Sequence, residues 1–205
     1  DFGRSRNKRL QGVIAANRLL LSYGITSLQD AGPDNGPERW QSFRDLVDSE
    51  TLQPRIAMMA GAGRRAELIE AGLYWGSGDD RLRLGHVKIM LTMTTGALQP
   101  SLDELQQLAT EATQSGFPVA IHCVEQEAVA AAVKVIAGLP PLPDGVPPHR
   151  IEHCSECPPD LVNAVRESGA VVVTNPGFIH WNGPSYRKNV AEELQHHLYP
   201  IGPLD

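Results

Sequence analysis

The sequence carries no excess of basic residues. Its 18 Lys and Arg stand against 24 Asp and Glu, for a net charge of −6. No basic stripe interrupts that balance, which argues against nucleic acid as a partner. No apolar run approaches the roughly 20 residues needed to cross a bilayer, and no amino-terminal signal pattern is visible, so no membrane partner is expected. Cysteine is sparse. Cys123, Cys154 and Cys157 are an odd set and do not read as a disulfide framework, which points to a reducing, cytoplasmic compartment. Phosphate loops of the G-x-G-x-x-G or G-x-x-x-x-G-K type are absent, which disfavours a nucleotide-binding sheet. No repeat or low-complexity segment occurs.

What remains is an ordinary globular composition, 41% hydrophobic and 20% charged over 205 residues. That is enough chain for one large domain, 1–205, with a real core. The opening Asp1-Phe2-Gly3-Arg4 lacks a Met, which leads us to expect a mature end or a portion of something longer.

The pattern alternates helices with short apolar runs. Leu10, Val13, Ile14, Asn17, Leu20 and Leu21 recur at helical spacing between Arg4 and Tyr23. Strands are expected to end near Gln29, Ala60, Leu91, His122, Ile151 and Thr174. Ser101 with Glu104 forms a capping box before the helix that carries Leu105, Leu108, Ala109 and Ala112. Further helices are expected over Trp40–Ser49, Ala66–Ala71, Glu125–Ala137 and the segment ending at Ser168. The tail from Ile179 reads as polar and helical only over Val190–Leu198. Six buried-type strands alternating with helices fit either an open doubly wound sheet or a (β/α)-barrel.

Three of the strand runs carry unusual residues: Lys88 in Val87–Leu91, His122 at the end of Val119–His122, and His153 at the end of Arg150–His153. The gaps between them are each about 30 residues, one strand–helix–strand unit. On adjacent parallel strands these groups converge at one sheet edge. A His at a strand end can be purely structural, but two on consecutive strands suit zinc and other borderline metals. A Lys inside an apolar strand is costly unless paired, and burial lowers its pKa. Such an amine either pairs with Asp30 or Glu152, or reacts with carbon dioxide to give an anionic, two-oxygen ligand. Cys154 and Cys157 read as packing thiols. A redox pair, or a structural zinc site completed by Cys123 and His149, are the alternatives. Asp30, Thr94, Thr95, Asn175 and His180 lie at strand ends or in the following loops and are candidates for substrate contact. Asp30 serves equally well as a turn cap.

At these residues the sequence resembles the metal-dependent amidohydrolase superfamily, most closely its N-substituted formamide deformylase-like branch. The matching strings are Gly24-Ile25-Thr26-Ser27-Leu28-Gln29-Asp30-Ala31-Gly32, Val87-Lys88-Ile89, Val119-Ala120-Ile121-His122, Arg150-Ile151-Glu152-His153 and Val173-Thr174-Asn175-Pro176. The resemblance implies a (β/α)8 barrel of the TIM-barrel type and a hydrolase of non-peptide carbon–nitrogen bonds acting on small amide-type substrates. It also implies one or two divalent metals, usually zinc, held by a carboxylated Lys88 with His122 and His153. The family's first-strand His-x-His is missing here, as are its eighth-strand acid–base Asp and its small β-domain. The only acids after the last strand are Glu192, Glu193 and Asp205. The resemblance thus implies strands two to seven of eight, an internal portion whose open edges favour self-association. A non-catalytic assembly module is the alternative.

Overall fold

The computed structural model describes residues 2–204, with side chains described for residues 7–202 and 204. Asp205, one of the tail acids, lies outside them. The chain divides into two compact units, Asp1–Gly85 and His86–Asp205.

The first unit contains α1 (Phe2–Ser22), β1 (Ser27–Asp30), α2 (Pro37–Asp48), β2 (Arg55–Gly61) and α3 (Arg65–Glu70). It also holds the first half of β3 (Leu82–Met90). β1 pairs parallel to β2, from Ser27 opposite Arg55 to Asp30 opposite Met58. Asn17 ties α1 to the segment before β2. Its side chain accepts from the Gln53 N–H at 2.9 Å and donates to Gln53 Oε1 at 3.1 Å. Leu10 and Leu21 of the expected apolar face stay exposed; the face that turns inward is Val13, Ile14, Asn17 and Leu20.

The loop after β1 folds around Asn35, which is 3% exposed. Asn35 Nδ2 donates to Asp30 Oδ2 at 2.8 Å and to the Met59 carbonyl at 3.0 Å. The Asn35 carbonyl accepts from the Gly61 N–H at 2.9 Å. A Cβ at Gly61 would lie 2.3 Å from the Pro33 carbonyl oxygen, so the end of β2 meets this loop only as glycine.

The second unit contains the rest of β3, then α4 (Leu102–Gln114), β4 (Val119–Cys123), α5 (Gln126–Ala137), β5 (Arg150–His153), α6 (Pro159–Ser168) and β6 (Val171–Val173). Three helices follow: α7 (Gly177–Asn189), α8 (Glu192–Gln195) and α9 (Ile201–Leu204). The Ser101–Glu104 capping box forms as read, and α6 ends on Gly169 in the left-handed conformation, φ 70°. α7 replaces the irregular segment expected there. Gly177, Gly183 and Pro184 hide it from a propensity reading, since each disfavours a helix interior.

The strands pair in chain order, β1-β2-β3-β4-β5-β6, and the pairs from β3 to β6 are parallel. Six parallel strands alternating with helices are an incomplete (β/α)8 arrangement of the TIM-barrel type. Register divides the second unit's strands into two faces. Val87, Ile89, Val119, Ile121, Cys123 and Ile151 form one, and all are essentially buried. Lys88, Met90, Ala120, His122, Arg150 and Glu152 share the other.

Two more histidines are buried away from the His122 and His153 strand ends, His86 within β3 and His149 just before β5. His86 Nε2 lies 3.2 Å from the Pro148 carbonyl, and His149 Nδ1 accepts from the Val119 N–H at 3.1 Å. His149 therefore sits at the far end of β4 from Cys123 and cannot join it in a zinc site. Burial lowers the pKa of His86 to about 4 and also lowers that of His149. A histidine with a depressed folded pKa stabilises the fold fully above its unfolded value, and that stability is lost as pH falls. Urea titrations should show stability falling between pH 7 and pH 5, by about 2 kcal/mol from His86 alone. His86→Gln should flatten that slope. A wild-type slope of the opposite sign would disprove the assignment.

Candidate metal centre

Lys88 stands near the end of β3, where register gives it the face opposite Val87 and Ile89. It is 4% exposed. Among the described residues it makes no hydrogen bond and no ion pair. Its amine is not among the fully buried polar atoms that lack a partner, so the stem is buried while the amine stays accessible. Burial depresses its pKa, against the weaker attraction of Glu152. The neutral amine is thus favoured more than in any solvated lysine.

His122 is one residue pair further along the same face, opposite Glu152 on β5. Burial first, then the proximity of His153 and Lys88, lowers its pKa to about 4. The His153 pKa is lowered by burial and by Lys88. Both imidazoles are therefore neutral at pH 7, the form that can donate a lone pair to a metal.

Strict strand alternation would send His153 to the other face, since it stands opposite Cys123. The backbone overrides this. His153 has φ 71° and Cys154 φ 49°, the left-handed region that costs a non-glycine residue roughly 1–2 kcal/mol. The turn brings the His153 ring to 4.7 Å from that of His122, edge to face at 73°. Such strain at a strand end marks a position the surrounding structure over-determines. Nothing in the sequence forecasts it.

From the sequence, Arg150 and Phe178 have no role at this site, and Glu152 is only a candidate partner of Lys88. Arg150 Nε bonds Glu152 Oε1 at 2.8 Å, with both side chains largely buried. Glu152 therefore already has a strong partner and attracts Lys88 only at longer range. Its place on this face was legible from alternation with Arg150, had the register been known. Phe178 has its ring 6.1 Å from that of His153 and 6.2 Å from that of Tyr199. It belongs to α7, the helix that the sequence reading left out.

The candidate substrate residues are placed as follows. Asp30, in the first unit, holds Asn35 and so acts as the anchor of its own loop. Thr94 and Thr95 are exposed in the loop after β3, with Thr94 Oγ1 3.3 Å from Thr92 Oγ1 and Thr95 Oγ1 3.4 Å from the Ala97 carbonyl. Asn175 closes a turn by accepting from the Gly177 N–H at 3.0 Å. The His180 ring rests against Trp181 at 5.1 Å. The ring contact from this last loop to His153 comes from Phe178 rather than His180.

Among the described residues, no group of three or more His, Cys, Asp and Glu side chains is placed to hold a metal ion. The donor set fits a divalent metal through two neutral imidazoles in ring contact. A third donor must come from another chemical type, and the buried amine of Lys88 is the group beside them.

Strand-end histidines beside a buried lysine, on parallel strands linked by helices, define the class of protein. A family model described as the amidohydrolase family matches residues 4–205, and the chain belongs to that family. No curated protein sequence matches it. Among solved structures, it resembles an uncharacterized metal-dependent hydrolase from Pyrococcus horikoshii OT3, with a TM-score of 0.77 and 21% identity. The match covers 95% of this chain and 43% of that one. A second, from Pyrococcus furiosus, gives 0.74 and 21% over 93% of this chain and 42% of its own. The A. niger ochratoxinase gives 0.53 and 16% over 88% and 48%. These likenesses support the fold, and the chain spans less than half the length of each relative. Among the described residues no helix is long and apolar enough to cross a membrane.

Proposed function

We propose that this chain carries the Lys88, His122 and His153 part of a metal-dependent hydrolase of non-peptide carbon–nitrogen bonds, of the N-substituted formamide deformylase-like branch. One observation carries the reading: a largely buried lysine with no direct hydrogen-bond or ion-pair partner, beside two neutral imidazoles in ring contact at adjacent strand ends. Folding gains nothing from such a group, so its presence asks for a ligand.

In this reading the Lys88 amine attacks carbon dioxide. A nitrogen–carbon bond forms, one proton leaves to solvent, and the product is an anionic carbamate. That carbamate and the two histidines would hold a divalent metal, zinc by our proposal, as one or two ions. A divalent ion bound there supplies Lewis acidity and an acidified water. The residues of this chain then have defined tasks. Glu152, fixed by Arg150, keeps an acceptor on the site's face. Phe178 covers His153 and limits water. Thr94, Thr95, Asn175 and His180 offer polar contacts to a small amide. The acid–base group that protonates the leaving amine has no counterpart among the residues expected from the resemblance. We therefore propose that this chain is a portion, 1–205, of a single barrel domain whose remaining strands and small β-domain complete the reaction.

Incubation with zinc and bicarbonate, then assay against N-formyl amines and small cyclic amides, tests the function. Turnover that a chelator abolishes and zinc restores is the expected result. Turnover untouched by chelation would end the metal reading.

A second reading, a non-catalytic barrel portion serving assembly, rests on Val171 and Val173 of β6, which are 46% and 38% exposed. Bare apolar side chains on an outer strand favour pairing with another copy. Light scattering should show self-association, and Val171→Lys/Val173→Lys should reduce it. A wild-type monomer at all concentrations would count against it. The three free thiols support a cytoplasmic setting for either reading.

A further inference from the structure

The metal reading makes no use of the space between α6 and the segment that follows α8. Val162, Asn163 and Arg166 share one face of α6, since Arg166 follows the other two by about one helical turn. The segment after α8 is zipped onto the loop before α6. The Cys157 N–H bonds the His197 carbonyl at 3.2 Å, and the Tyr199 N–H bonds the Ser155 carbonyl at 2.7 Å. Glu156 and Leu198 form an antiparallel bridge between those two bonds. This pairing sets His196 and His197 beside the α6 face.

The result is a cavity of about 340 Å³. The apolar part of its lining includes Cys157 and Val162, both buried, and Pro200. A free thiol packs there as a small hydrophobe. The polar part is Asn163, Arg166, His196 and His197. All four can donate hydrogen bonds, and the guanidinium alone has five N–H groups. Arg166 can therefore serve a ligand beside any acceptor it already holds. Among the described residues no Asp or Glu lines the cavity, although Asp160 and Glu167 lie on or next to Arg166's helix turn and Glu192 and Glu193 on α8. In a chain of net charge −6, this wall carries a fixed positive charge and no negative one.

We propose that this cavity binds a small carboxylate carried on an apolar body. Arg166, Asn163 and the two histidines take the carboxylate, and Cys157, Val162 and Pro200 pack against the body. A carboxylate matches the guanidinium fork with two parallel hydrogen bonds. An inorganic anion would leave the apolar part of the lining without a partner. The volume has room for roughly ten non-hydrogen atoms at liquid density, which fits a single ring or a short chain. A cavity of this size, mostly apolar with a few placed donors, is the usual form of a small-ligand site. Binding here involves no metal, so it stands or falls apart from the site at Lys88.

Benzoate is the probe. It is titrated into the metal-free chain in the presence of a chelator and followed by the imidazole proton resonances, each assigned by a single His-to-Gln substitution. The resonances of His196 and His197 should move and saturate with a Kd of about 1 mM, as suits a ligand of this size. Those of His122 and His153 should stay in place. Benzyl alcohol, which has the ring without the charge, should bind at least about tenfold more weakly, and Arg166→Gln should weaken benzoate by a similar factor. Asn163→Trp fills the cavity from an exposed position and should abolish binding with Arg166 intact. Unmoved His86 and His149 resonances show that a variant is folded. A titration with no saturable shift, equal affinity for benzyl alcohol, an Asn163→Trp or Arg166→Gln variant that binds benzoate like the wild type, or shifts confined to His122 and His153 would each overturn the proposal.

Discussion

Zinc should raise the melting temperature of the wild-type chain by about 5–10 °C, and His122→Ala/His153→Ala should abolish the shift. A ligand that binds only the folded state adds about 2.7 kcal/mol at a hundredfold excess over its Kd. In a chain of this size each kcal/mol moves the midpoint by about 2–4 °C. The double substitution removes both imidazoles of the ring pair. It leaves the core of β4 and β5, Val119, Ile121 and Ile151, in place. Elemental analysis after dialysis gives a second readout, with zinc near stoichiometric in the wild type and at background in the variant. Equal metal content in the two proteins would remove the site.

Lys88→Met should move stability and metal uptake in opposite directions. In the metal-free protein the amine is partly desolvated with no direct partner. An unbranched apolar side chain of similar length removes that penalty and fills the same space. Replacements of buried charge by apolar groups are neutral or stabilising by about 1–4 kcal/mol. Lys88→Met also removes the attraction to Glu152, but Glu152 keeps its 2.8 Å bond to Arg150, so the first effect wins. The metal-free variant should unfold at higher urea than the wild type, with an unchanged m-value. Zinc should then stabilise it much less, because the carbamate donor cannot form. Carbon-13 bicarbonate should label the wild type at a carbamate carbon and leave the variant unlabelled. A variant that is less stable without metal, yet binds zinc as tightly as the wild type, would show Lys88 to be a structural residue.

Both predictions concern residues that were legible one by one in the sequence. Lys88, His122 and His153 stood out because each interrupts or ends an apolar run. The (β/α) rhythm was legible for the same reason: Val87–Leu91, Val119–His122 and the run around Ile151 are short, mostly apolar runs separated by helical periodicity, as the strands of a parallel sheet are. Local chemistry made the Ser101–Glu104 cap and the Gly169 stop readable, since both depend only on residues within one turn. α7 was not readable, because Gly177, Gly183 and Pro184 argue against a helix that packing nevertheless forms. The hydrogen bond from Asn35 to Asp30 was not readable either, because no local pattern announces the burial of Asn35.

By itself the sequence determined the order and type of the strand–helix units, the family, and which side chains are out of place in an apolar strand. Periodicity, capping and composition are local, and they survive without knowledge of the fold. Only the tertiary structure decided that His153 meets His122, because a φ of 71° reverses the face that alternation assigns it. It also decided that Lys88 has no direct partner while Glu152 is held by Arg150, and that Cys157, not Cys154, reaches a cavity. Register, left-handed turns and cavity walls are set by contacts between residues far apart in the chain, and no window of sequence contains both members of such a pair.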